Sequence, residues 1–313
     1  MSDIDIQYHI NLNRILKYGY EYEDPNRPGV MRKEIEDINI HHRVEDGAPI
    51  LSLRKIYYNG AINELLFFLS GSTDIRDLWD KGVNFWNKDW ENFVGLPKED
   101  IYTLYRNYRD SVYKKEVNEY DMGKIYSYQY RLSDNIDQIQ NLINGMVTNP
   151  MSTSLIVTAW NPSELPEMCL KPCHFNFQIT CYPLKELPDK YGFTLHWSQR
   201  SCDYFLGIPT NIIFYYSLGL LLGEITGHKF CAIRGDLRNV HLYSNQINSA
   251  EKLLTREYNK HENAKMYISN SLKEVCKETI NINEILKECT SDDFIVDNYK
   301  HYDKLSVPML SYG

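Results

Sequence analysis

The sequence predicts an α+β protein in which helices pack on one side of a mixed β-sheet, and three segments carry this prediction. The segments "HFNFQITCYPL" and "GFTLHWSQRSCDYF" alternate apolar and polar residues, as half-buried strands do. The stretch "TNIIFYYSLGLLLGEITGH" is apolar around most of its circumference, which predicts a long helix buried against that sheet. Since the chain contains neither an internal repeat nor a low-complexity linker, we expect one domain spanning 1–313.

The other elements follow from local patterns in chain order. The loop "DPNRPGVMRK" precedes "INIHHRVEDGAPILSLRKI", in which "EDGAP" separates two runs and predicts strand, turn and strand. "AINELLFFLSGSTDIRDLWDKG" begins as a buried helix, and the polar, tyrosine-rich region 87–121 is interpreted as a variable insertion of helices and loops. "NIDQIQNLINGMVTNP" predicts an amphipathic helix that ends before Pro150, and "SLIVTAW" predicts a strand. "KFCAIRGDLRNVHLY" predicts a strand with a bend, and short strands and helices alternate after it.

Charge and hydropathy argue against some classes of function. The formal net charge of −8 is unfavourable for broad binding to nucleic acid or to an acidic membrane, but it is compatible with a small basic pocket for a phosphate. The N-terminus "MSDIDIQYHI" lacks the apolar segment of a signal peptide. The longest apolar run, "IIFYYSLGLLLG", is shorter than the roughly 20 residues that span a bilayer, so we expect a buried helix and no membrane partner.

The cysteines favour a reducing compartment. Seven of them occur, an odd number without the spacing of a zinc ribbon, so we expect reduced thiols in a cytoplasmic protein without a metal. Cys173 in "LKPCHFNFQIT" is either a nucleophile or a buried thiol. A nucleophilic thiolate needs a positive neighbour, and strand alternation predicts that His174 points to the opposite face. An inert core thiol is the more common case in an apolar strand.

Polar residues near a strand end favour a functional site over simple packing. In "QRSCDYFLGIPTNI", the residues Arg200, Ser201 and Asp203 follow a predicted strand, and Asn211 lies near the start of the long helix. Groups in this position either bind a ligand or cap the helix. For Asn211 the N-cap is an equally good explanation.

Two further positions are unusual for their surroundings. Glu64 lies within "INELLFFL", where a carboxylate is costly unless it is hydrogen-bonded or functional. His241 and Tyr243 in "NVHLY" alternate to one face of a strand, although by themselves they would be interpreted as surface residues.

Seven motifs in order resemble the folate-dependent thymidylate synthase family and its pyrimidine hydroxymethylase relatives. The motifs are "NELLFFLSGSTDI", "IDQI", "LIVTAWNPSEL", "KPCH", "QRSCDYFLGIPTNI", "HLYSNQI" and "DDFIVDNY". The resemblance covers most of the chain, from Arg27 to Pro308. It implies the thymidylate synthase fold, whose mixed sheet has a bulged and kinked face that pairs with its copy in a homodimer.

The resemblance implies chemical roles for four residues. Cys173 matches the cysteine that adds to C6 of the pyrimidine ring and makes C5 a nucleophile toward the methylene carbon of 5,10-methylenetetrahydrofolate. Arg200 matches an arginine near both the thiolate and the substrate phosphate, where a fixed cation favours both anions. Glu64 matches the carboxylate that organises water for proton transfers. Tyr126 matches the tyrosine that helps to remove the C5 proton.

Substrate-binding residues are implied in the same way. Arg27 matches a phosphate-binding arginine, and Ser201 matches a hydroxyl group on the phosphate side. His241 and Tyr243 match the pair that holds the sugar 3′-hydroxyl. Asn211 matches the residue that reads the base, because an amide can donate to O4 and accept from N3–H of uracil. The cytosine-specific hydroxymethylases carry an aspartate there, so the resemblance favours a uracil nucleotide.

Two residues are implied for the folate. Asp203 matches the carboxylate that binds the pterin ring. Trp86 matches an aromatic residue that packs on the folate-bound carbon, although "WNKDW" is one residue longer than the usual spacing. The C-terminal "VPMLSYG" is also longer than the tail that closes over the folate in the family.

The chain departs from the family pattern at the phosphate. Where the family has two consecutive arginines that reach across the dimer, "NPMSTSLIV" has Thr153 and Ser154. The positive charge of the two family arginines would have to be replaced by Arg234, Arg238 or a lysine of the insertion. Asn239 also stands where the family has an aspartate.

The resemblance implies an enzyme that transfers one carbon to C5 of a pyrimidine nucleotide, with dUMP as the first candidate, and the two missing arginines favour a specialised relative. The product is methyl if the folate donates hydride, which Trp86 favours by excluding water, and hydroxymethyl if water adds. A hydroxymethylase acting on dUMP, UMP, dCMP or CMP in nucleoside-antibiotic or modified-DNA metabolism is the alternative. A third possibility is a non-catalytic homologue that binds nucleotide or nucleic acid. This possibility is less favoured because four residues with implied roles are all present: Cys173, Glu64, Tyr126 and Asn211. We expect a cytoplasmic homodimer that binds a pyrimidine nucleotide and folate.

Overall fold

The computed structural model of the chain describes residues 3–25, 27–95, 120–185, 187–258 and 261–307. Most of the predicted insertion at 87–121 and the C-terminal "PMLSYG" therefore lie outside the described residues.

Helices and strands are interspersed along the chain. The helices are α1 (Asp3–Tyr18), α2 (Tyr58–Ser70), α3 (Arg76–Trp79), α4 (Asn87–Val94), α5 (Tyr126–Arg131), α6 (Gln138–Thr148), α7 (Gly207–Thr226), α8 (Ile247–Leu254), α9 (Asn270–Glu278) and α10 (Ile282–Glu288). The strands are β1 (Tyr20–Glu23), β2 (Met31–Arg43), β3 (Ile156–Thr158), β4 (His174–Leu184), β5 (Leu187–Gln199), β6 (Cys202–Asp203), β7 (Lys229–Tyr243), β8 (Lys265–Ile268) and β9 (Phe294–Asp297). The predicted α+β class is confirmed.

A mixed sheet organises these elements. Its strands run in the order β1-β2-β7-β5-β4-β3, and the short β6 pairs with β7. The β5–β7 and β6–β7 pairs are parallel, whereas the other pairs of this sheet are antiparallel. Parallel neighbours need a crossover connection, and α7 provides it between β5 and β7. Strands β8 and β9 form a separate antiparallel pair.

Helices cover one face of the sheet and form the core with it. Phe177 in β4 and Leu195 and Trp197 in β5 are at most 1% exposed. Helix α7 packs on α2 and on this face, and it ends where Gly227 adopts a left-handed conformation with φ 68° that costs glycine little. Its length and hydropathy would suit a membrane span, but most of it is buried inside the protein. The predicted core helix is confirmed.

Two predictions about local structure are wrong. The second half of "INIHHRVEDGAPILSLRKI" is not a strand, because after a 3₁₀ turn at Val44–Asp46 the chain enters an irregular segment at 48–57. Its apolar residues Ile50, Leu51 and Leu53 are nevertheless buried, so an irregular segment fills the core where a strand was expected.

The start of α7 also differs from the prediction. The helix begins at Gly207, one turn before the expected position, so Asn211 lies inside it and is not its N-cap. Helix α1 was not predicted, although its buried Ile4, Tyr8 and Leu12 recur at the spacing of one helix face.

Candidate active site

Helix α2 contributes a carboxyl group to the site. The Trp86 indole Nε1–H donates a hydrogen bond of 2.7 Å to Oε1 of Glu64. Burial raises the pKa of Glu64 to about 7, and the bond from Trp86 opposes that rise. Near neutral pH this carboxyl group can therefore both release and take up a proton, which is the property of a general acid–base residue.

Aromatic rings enclose this carboxyl group. Phe68, one turn after Glu64, stacks on Tyr126 with 4.6 Å between ring centroids and meets Trp86 edge-on at 5.9 Å. Tyr126 stacks in turn on His174 at 4.5 Å. The rings of Phe68 and Tyr126 are at most 1% exposed, and burial raises the pKa of the Tyr126 hydroxyl well above its ordinary value.

Cys173 lies against this aromatic wall, immediately before β4. Its backbone N–H donates to the Tyr126 hydroxyl oxygen at 2.6 Å. Burial raises the pKa of the Cys173 thiol, whereas the positive charge of Arg200 opposes the rise. The structure thus places a thiol near a tyrosine hydroxyl and a cation, and the cation favours the thiolate form.

His174 does not supply that cation. Its Nδ1 lies 2.7 Å from the Tyr215 hydroxyl oxygen, and burial lowers the pKa of the ring to about 3. The imidazole is therefore neutral near pH 7 and serves as part of the aromatic wall.

Arg200 is fixed against the segment that leads to the cysteine. Its Nε and Nη2 donate to the carbonyl oxygens of Pro172 and Lys171, each at 2.9 Å. The guanidinium carbon lies 5.4 Å from the centroid of the Trp160 ring. The backbone N–H of Arg200 also donates to the Cys173 carbonyl at 2.8 Å, so the end of β5 and the start of β4 hold each other.

The bend of β7 presents two rings to the site. Asn239 has φ 48°, and its side-chain nitrogen donates to the Arg200 carbonyl at 2.8 Å. Beyond the bend, His241 and Tyr243 share one face as predicted, with 4.9 Å between ring centroids. Nδ1 of His241 lies 2.7 Å from the Asn239 carbonyl, and burial lowers the pKa of the ring to about 3. His241 is thus neutral, with Nδ1 the donor and Nε2 free to accept.

Asn211 reaches back from the second turn of α7 to the end of β5. Its Nδ2 lies 3.4 Å from Oε1 of Gln199, whose own Nε2 donates to the Ser201 carbonyl at 3.1 Å. Gln199 is buried, whereas Asn211 and Ser201 are partly exposed. Sequence reasoning assigned no role to Gln199, although it is the first residue of "QRSCDYFLGIPTNI".

Asp203 is engaged in the chain reversal that precedes α7. Its Oδ1 accepts from the backbone N–H groups of Phe205 and Leu206 at 3.0 and 2.8 Å, and its Oδ2 accepts from Gln246 at 2.8 Å. Burial raises the pKa of Asp203. The side chain remains partly exposed and Oδ2 keeps one lone pair, so the residue can still accept one hydrogen bond from a ligand.

Arg27 lies beside Tyr243 of the β7 rings. Its Nη1 donates to the Tyr243 hydroxyl at 2.5 Å, and its guanidinium carbon lies 4.7 Å from that ring centroid. It also pairs with buried Asp24 at 3.3 Å. Sequence reasoning missed the second arginine here, Arg32, which lies opposite Tyr243 in the β2–β7 register and forms an ion pair with Glu34.

Asp89 on α4 is a further charged group of the cleft that sequence reasoning missed. Burial raises its pKa to about 7, and the charge of Arg27 opposes that rise. Its negative charge in turn raises the pKa of both Cys173 and Cys169. The only signal in the sequence was the extra residue in "WNKDW".

The residues at the positions of the family's cross-dimer arginines lie at the surface of this protomer. Thr153 and Ser154 are exposed in the turn before β3. Arg234 and Arg238, the suggested replacements, are also exposed, and Arg238 pairs with Asp236 at 2.7 Å.

Comparison with known proteins agrees with this arrangement. The profile of the family described as thymidylate synthase matches residues 6–311. A thymidylate synthase of Phytoplasma mali (strain AT) is 32% identical over 255 residues, which cover 80% of this chain and 85% of that protein. Similarity of this extent over almost the whole sequence, with the motif residues assembled in one cleft, shows that the chain belongs to the thymidylate synthase family.

Proposed function

We propose that the protein transfers one carbon from 5,10-methylenetetrahydrofolate to C5 of the uracil ring of dUMP and forms a methyl group. The observation that carries the proposal is the contact of the Cys173 backbone with the Tyr126 hydroxyl, near Arg200 and the partly exposed acid Glu64. Addition to a pyrimidine needs these three functions together: a thiolate, a proton acceptor and a group that exchanges protons near pH 7.

Cys173 begins the reaction by adding to the base. Its Sγ forms a bond to C6, and the electron pair of the C5–C6 double bond moves through C5 and C4 toward O4. Arg200 favours the thiolate that this step requires, because a fixed cation stabilises the anion against the cost of burial. A cysteine suits the role since the same sulfur leaves as a thiolate when the product forms.

Tyr126 and Glu64 handle the protons. The Tyr126 oxygen already accepts one hydrogen bond from the Cys173 backbone, which orients it for removal of the C5 proton. With a pKa of about 7, Glu64 can exchange protons with O4 of the base through ordered water. The folate supplies the one-carbon unit and, for a methyl product, the hydride.

Asn211, His241 and Tyr243 select and orient the nucleotide. The Asn211 amide has a second N–H for O4 and an oxygen for N3–H, which fits uracil and not cytosine. Nε2 of neutral His241 can accept a hydrogen bond from the sugar 3′-hydroxyl, and the Tyr243 hydroxyl, held by Arg27, lies next to it. Ser201 is partly exposed beside Arg200, where its hydroxyl can meet the phosphate.

The residues assigned to the folate are compatible with that role. The Trp86 ring closes the aromatic wall beside Glu64, where it can exclude water from the exocyclic methylene and so favour methyl over hydroxymethyl. Asp203 retains acceptor capacity for a pterin N–H. A 5-hydroxymethylase acting on the same nucleotides is the second candidate, because the altered spacing of "WNKDW" falls at the residue that controls water.

We also propose that two copies associate in the cytoplasm through the sheet face opposite to α7. Ile156 in β3 and Tyr182 in β4 point to that face by strand alternation and are 48% and 38% exposed. Large apolar side chains exposed on one face favour burial in an interface.

Product analysis tests the proposal. The protein is incubated with methylenetetrahydrofolate and, in separate reactions, dUMP, dCMP, UMP and CMP, and each product is identified by mass spectrometry. We expect a gain of one methyl group on dUMP. A hydroxymethyl product would support the second candidate, and absence of any covalent change with all four nucleotides would refute both.

A further inference from the structure

Strand β2 places a second arginine next to the predicted substrate-binding rings. In the β2–β7 register, Arg32 lies opposite Tyr243, and Glu34 lies opposite His241. Directly opposed residues of antiparallel strands project to the same face. Arg32 therefore lies on the face that carries the β7 rings, although no family motif quoted above includes it.

Carboxylates and tyrosines hold the Arg32 guanidinium in one position. It forms an ion pair with Glu34. Its Nη1 also lies 3.5 Å from Oδ2 of Asp24, and Asp24 in turn pairs with Arg27. Glu34 in turn accepts hydrogen bonds from the hydroxyl groups of Tyr20 at 2.9 Å and Tyr22 at 3.0 Å. An arginine fixed in this way loses little conformational entropy when it binds a ligand.

One donor of this guanidinium has no acceptor. Arg32 is only 9% exposed, and its buried Nε–H meets no hydrogen-bond acceptor within the part of the chain that the structure describes. Buried donors are almost always paired in folded proteins, so an unpaired one points to a missing partner. A planar guanidinium with an available edge is well suited to the oxygens of a phosphate.

The charge of Arg32 acts on the same groups as the charges of Arg27 and Arg200. All three arginines lower the pKa of the Cys173 thiol, and Arg32 and Arg27 both lower that of His241. The charges of all three arginines therefore act on the same thiol. By contrast, Arg234 and Arg238 are exposed.

We infer that Arg32 is a further substrate-binding residue, which joins Arg27 and Arg200 in binding the 5′-phosphate of the pyrimidine nucleotide, with Glu34 as its positioning residue. The inference rests on the proposed function for the identity of the nucleotide. It explains how a chain with Thr153 and Ser154 at the exposed turn retains a cationic phosphate site, because all three arginines then come from one protomer.

The test separates the phosphate from the rest of the ligand. Binding of dUMP and of deoxyuridine to wild type and Arg32→Gln is measured by calorimetry, and the pairs dCMP and deoxycytidine, UMP and uridine are titrated in parallel. We expect Arg32→Gln to weaken the nucleotide about ten- to hundredfold, the value of one charge-assisted contact, and to leave the nucleoside unchanged. Lys33→Gln is the matched control, since Lys33 is the next residue of β2 and pairs with Glu21.

A second measurement does not depend on the base. Inorganic phosphate should slow alkylation of Cys173 by iodoacetamide in wild type and in Lys33→Gln, and this protection should be lost in Arg32→Gln. If another base is preferred, the proposed function fails in its choice of nucleotide, while the loss of affinity for that nucleotide and of phosphate protection still supports Arg32.

Equal weakening of nucleotide and nucleoside, or no change in either, would overturn the inference. Should Arg32→Gln not fold, Arg32→Lys keeps the ion pair with Glu34 but loses the planar fork. It should weaken only the nucleotide, by several-fold, and an unchanged nucleotide affinity in that variant would also overturn the inference.

Discussion

The cleft has two unlike halves. The neutral half consists of an acid with a pKa of about 7 and the rings around it: Glu64, Phe68, Trp86, Tyr126 and His174. The charged half consists of two arginines and three carboxyl groups: Asp24, Arg27, Arg32, Glu34 and Asp89. Cys173 lies between the two halves. Its backbone N–H donates a hydrogen bond to Tyr126, and the charges of Arg27, Arg32 and Arg200 act on its thiol.

Under the proposed function, the neutral half carries out the chemistry and the charged half binds the substrate. The neutral half excludes water and keeps its ionisable groups uncharged or close to their midpoint, as proton transfer to a base requires. The charged half compensates every cation with a nearby carboxyl group, so a phosphate that binds there must compete with Asp24, Glu34 and Asp89. In the proposal, the reacting groups are therefore those that the family motifs imply, whereas the anion-binding groups include residues outside those motifs.

The largest effect is expected where the halves meet. Cys173→Ser should reduce product formation by at least about a hundredfold without loss of the fold, because a hydroxyl group is a poor nucleophile at neutral pH. Cys169→Ser is the control, as that thiol lies four residues earlier and is also partly buried. Turnover and thermal unfolding are measured on both variants, and turnover of Cys173→Ser within tenfold of wild type would exclude the role.

The neutral half is tested next by Glu64→Gln. Turnover should fall about a hundredfold, the contribution of one general acid–base residue.

The free energy of unfolding of Glu64→Gln should, in contrast, exceed that of wild type at high pH. Because burial raises the pKa of Glu64 from 4.5 to about 7, the wild-type free energy of unfolding falls as pH rises through this interval. The glutamine variant lacks that loss and should be more stable than wild type by roughly 1–3 kcal/mol above pH 7, with little difference below pH 4. Urea unfolding at several pH values measures this, and equal stabilities at pH 8 would contradict the assigned burial.

Sequence patterns predicted the two halves unequally, for a physical reason. Glu64 stands out because a carboxylate among leucines and phenylalanines needs an explanation, and Cys173 and Asn211 occur within continuous motifs. Arg32 and Glu34 occur in "MRKEIED", which has the composition of an exposed strand. Only the pairing of β2 with β7 buries them against Tyr243 and His241, and such register is a property of the whole sheet.

The same distinction between local pattern and whole-sheet pairing explains which secondary-structure elements were predicted correctly. Long periodic segments such as α7 and the β4–β5 pair were predicted correctly, because their own apolar pattern determines them. The segment 48–57 was wrongly predicted as a strand, since its apolar residues are buried in the core although the segment is irregular. The N-cap alternative for Asn211 is excluded because α7 begins one turn earlier, at Gly207.

Base recognition gives the third prediction. Asn211→Asp should lower the ratio of kcat/KM for uracil over cytosine nucleotides by at least about tenfold, or roughly 1.4 kcal/mol. A carboxylate cannot donate to O4 of uracil, but it accepts from the cytosine amino group and from a protonated N3. Competition assays with dUMP and dCMP measure the ratio. Asn211→Ala, which removes the polar group altogether, should weaken both substrates, and a wild type that prefers cytosine would refute the base assignment.

Asp89 allows the charged half to be changed without removing a cation. Asp89→Asn should lower the pKa of Cys173, because it removes a nearby negative charge. Alkylation of Cys173 by iodoacetamide, in a Cys169→Ser background, should then be about three- to tenfold faster at pH 8. At pH 5.5 the variants should be alike, since a carboxyl group with a pKa of about 7 is already protonated there. Asp80→Asn, at the exposed end of α3, is the control, and unchanged alkylation at pH 8 would show that Asp89 does not act on the thiol.

The smallest effect is a shift in pH dependence from Trp86→Phe. The substitution keeps an aromatic ring but removes the indole N–H that donates to Glu64 at 2.7 Å. Since that bond lowers the pKa of Glu64 against the effect of burial, its loss should raise this pKa further, by about half a unit to one unit. The limb of the pH–rate profile that Glu64 controls should move to higher pH by the same amount. Trp90→Phe is a matched control, because the Trp90 indole nitrogen is buried and has no hydrogen-bond partner among the described residues. A profile that shifts equally in both variants would mean that packing, and not the hydrogen bond, determines the acidity of Glu64.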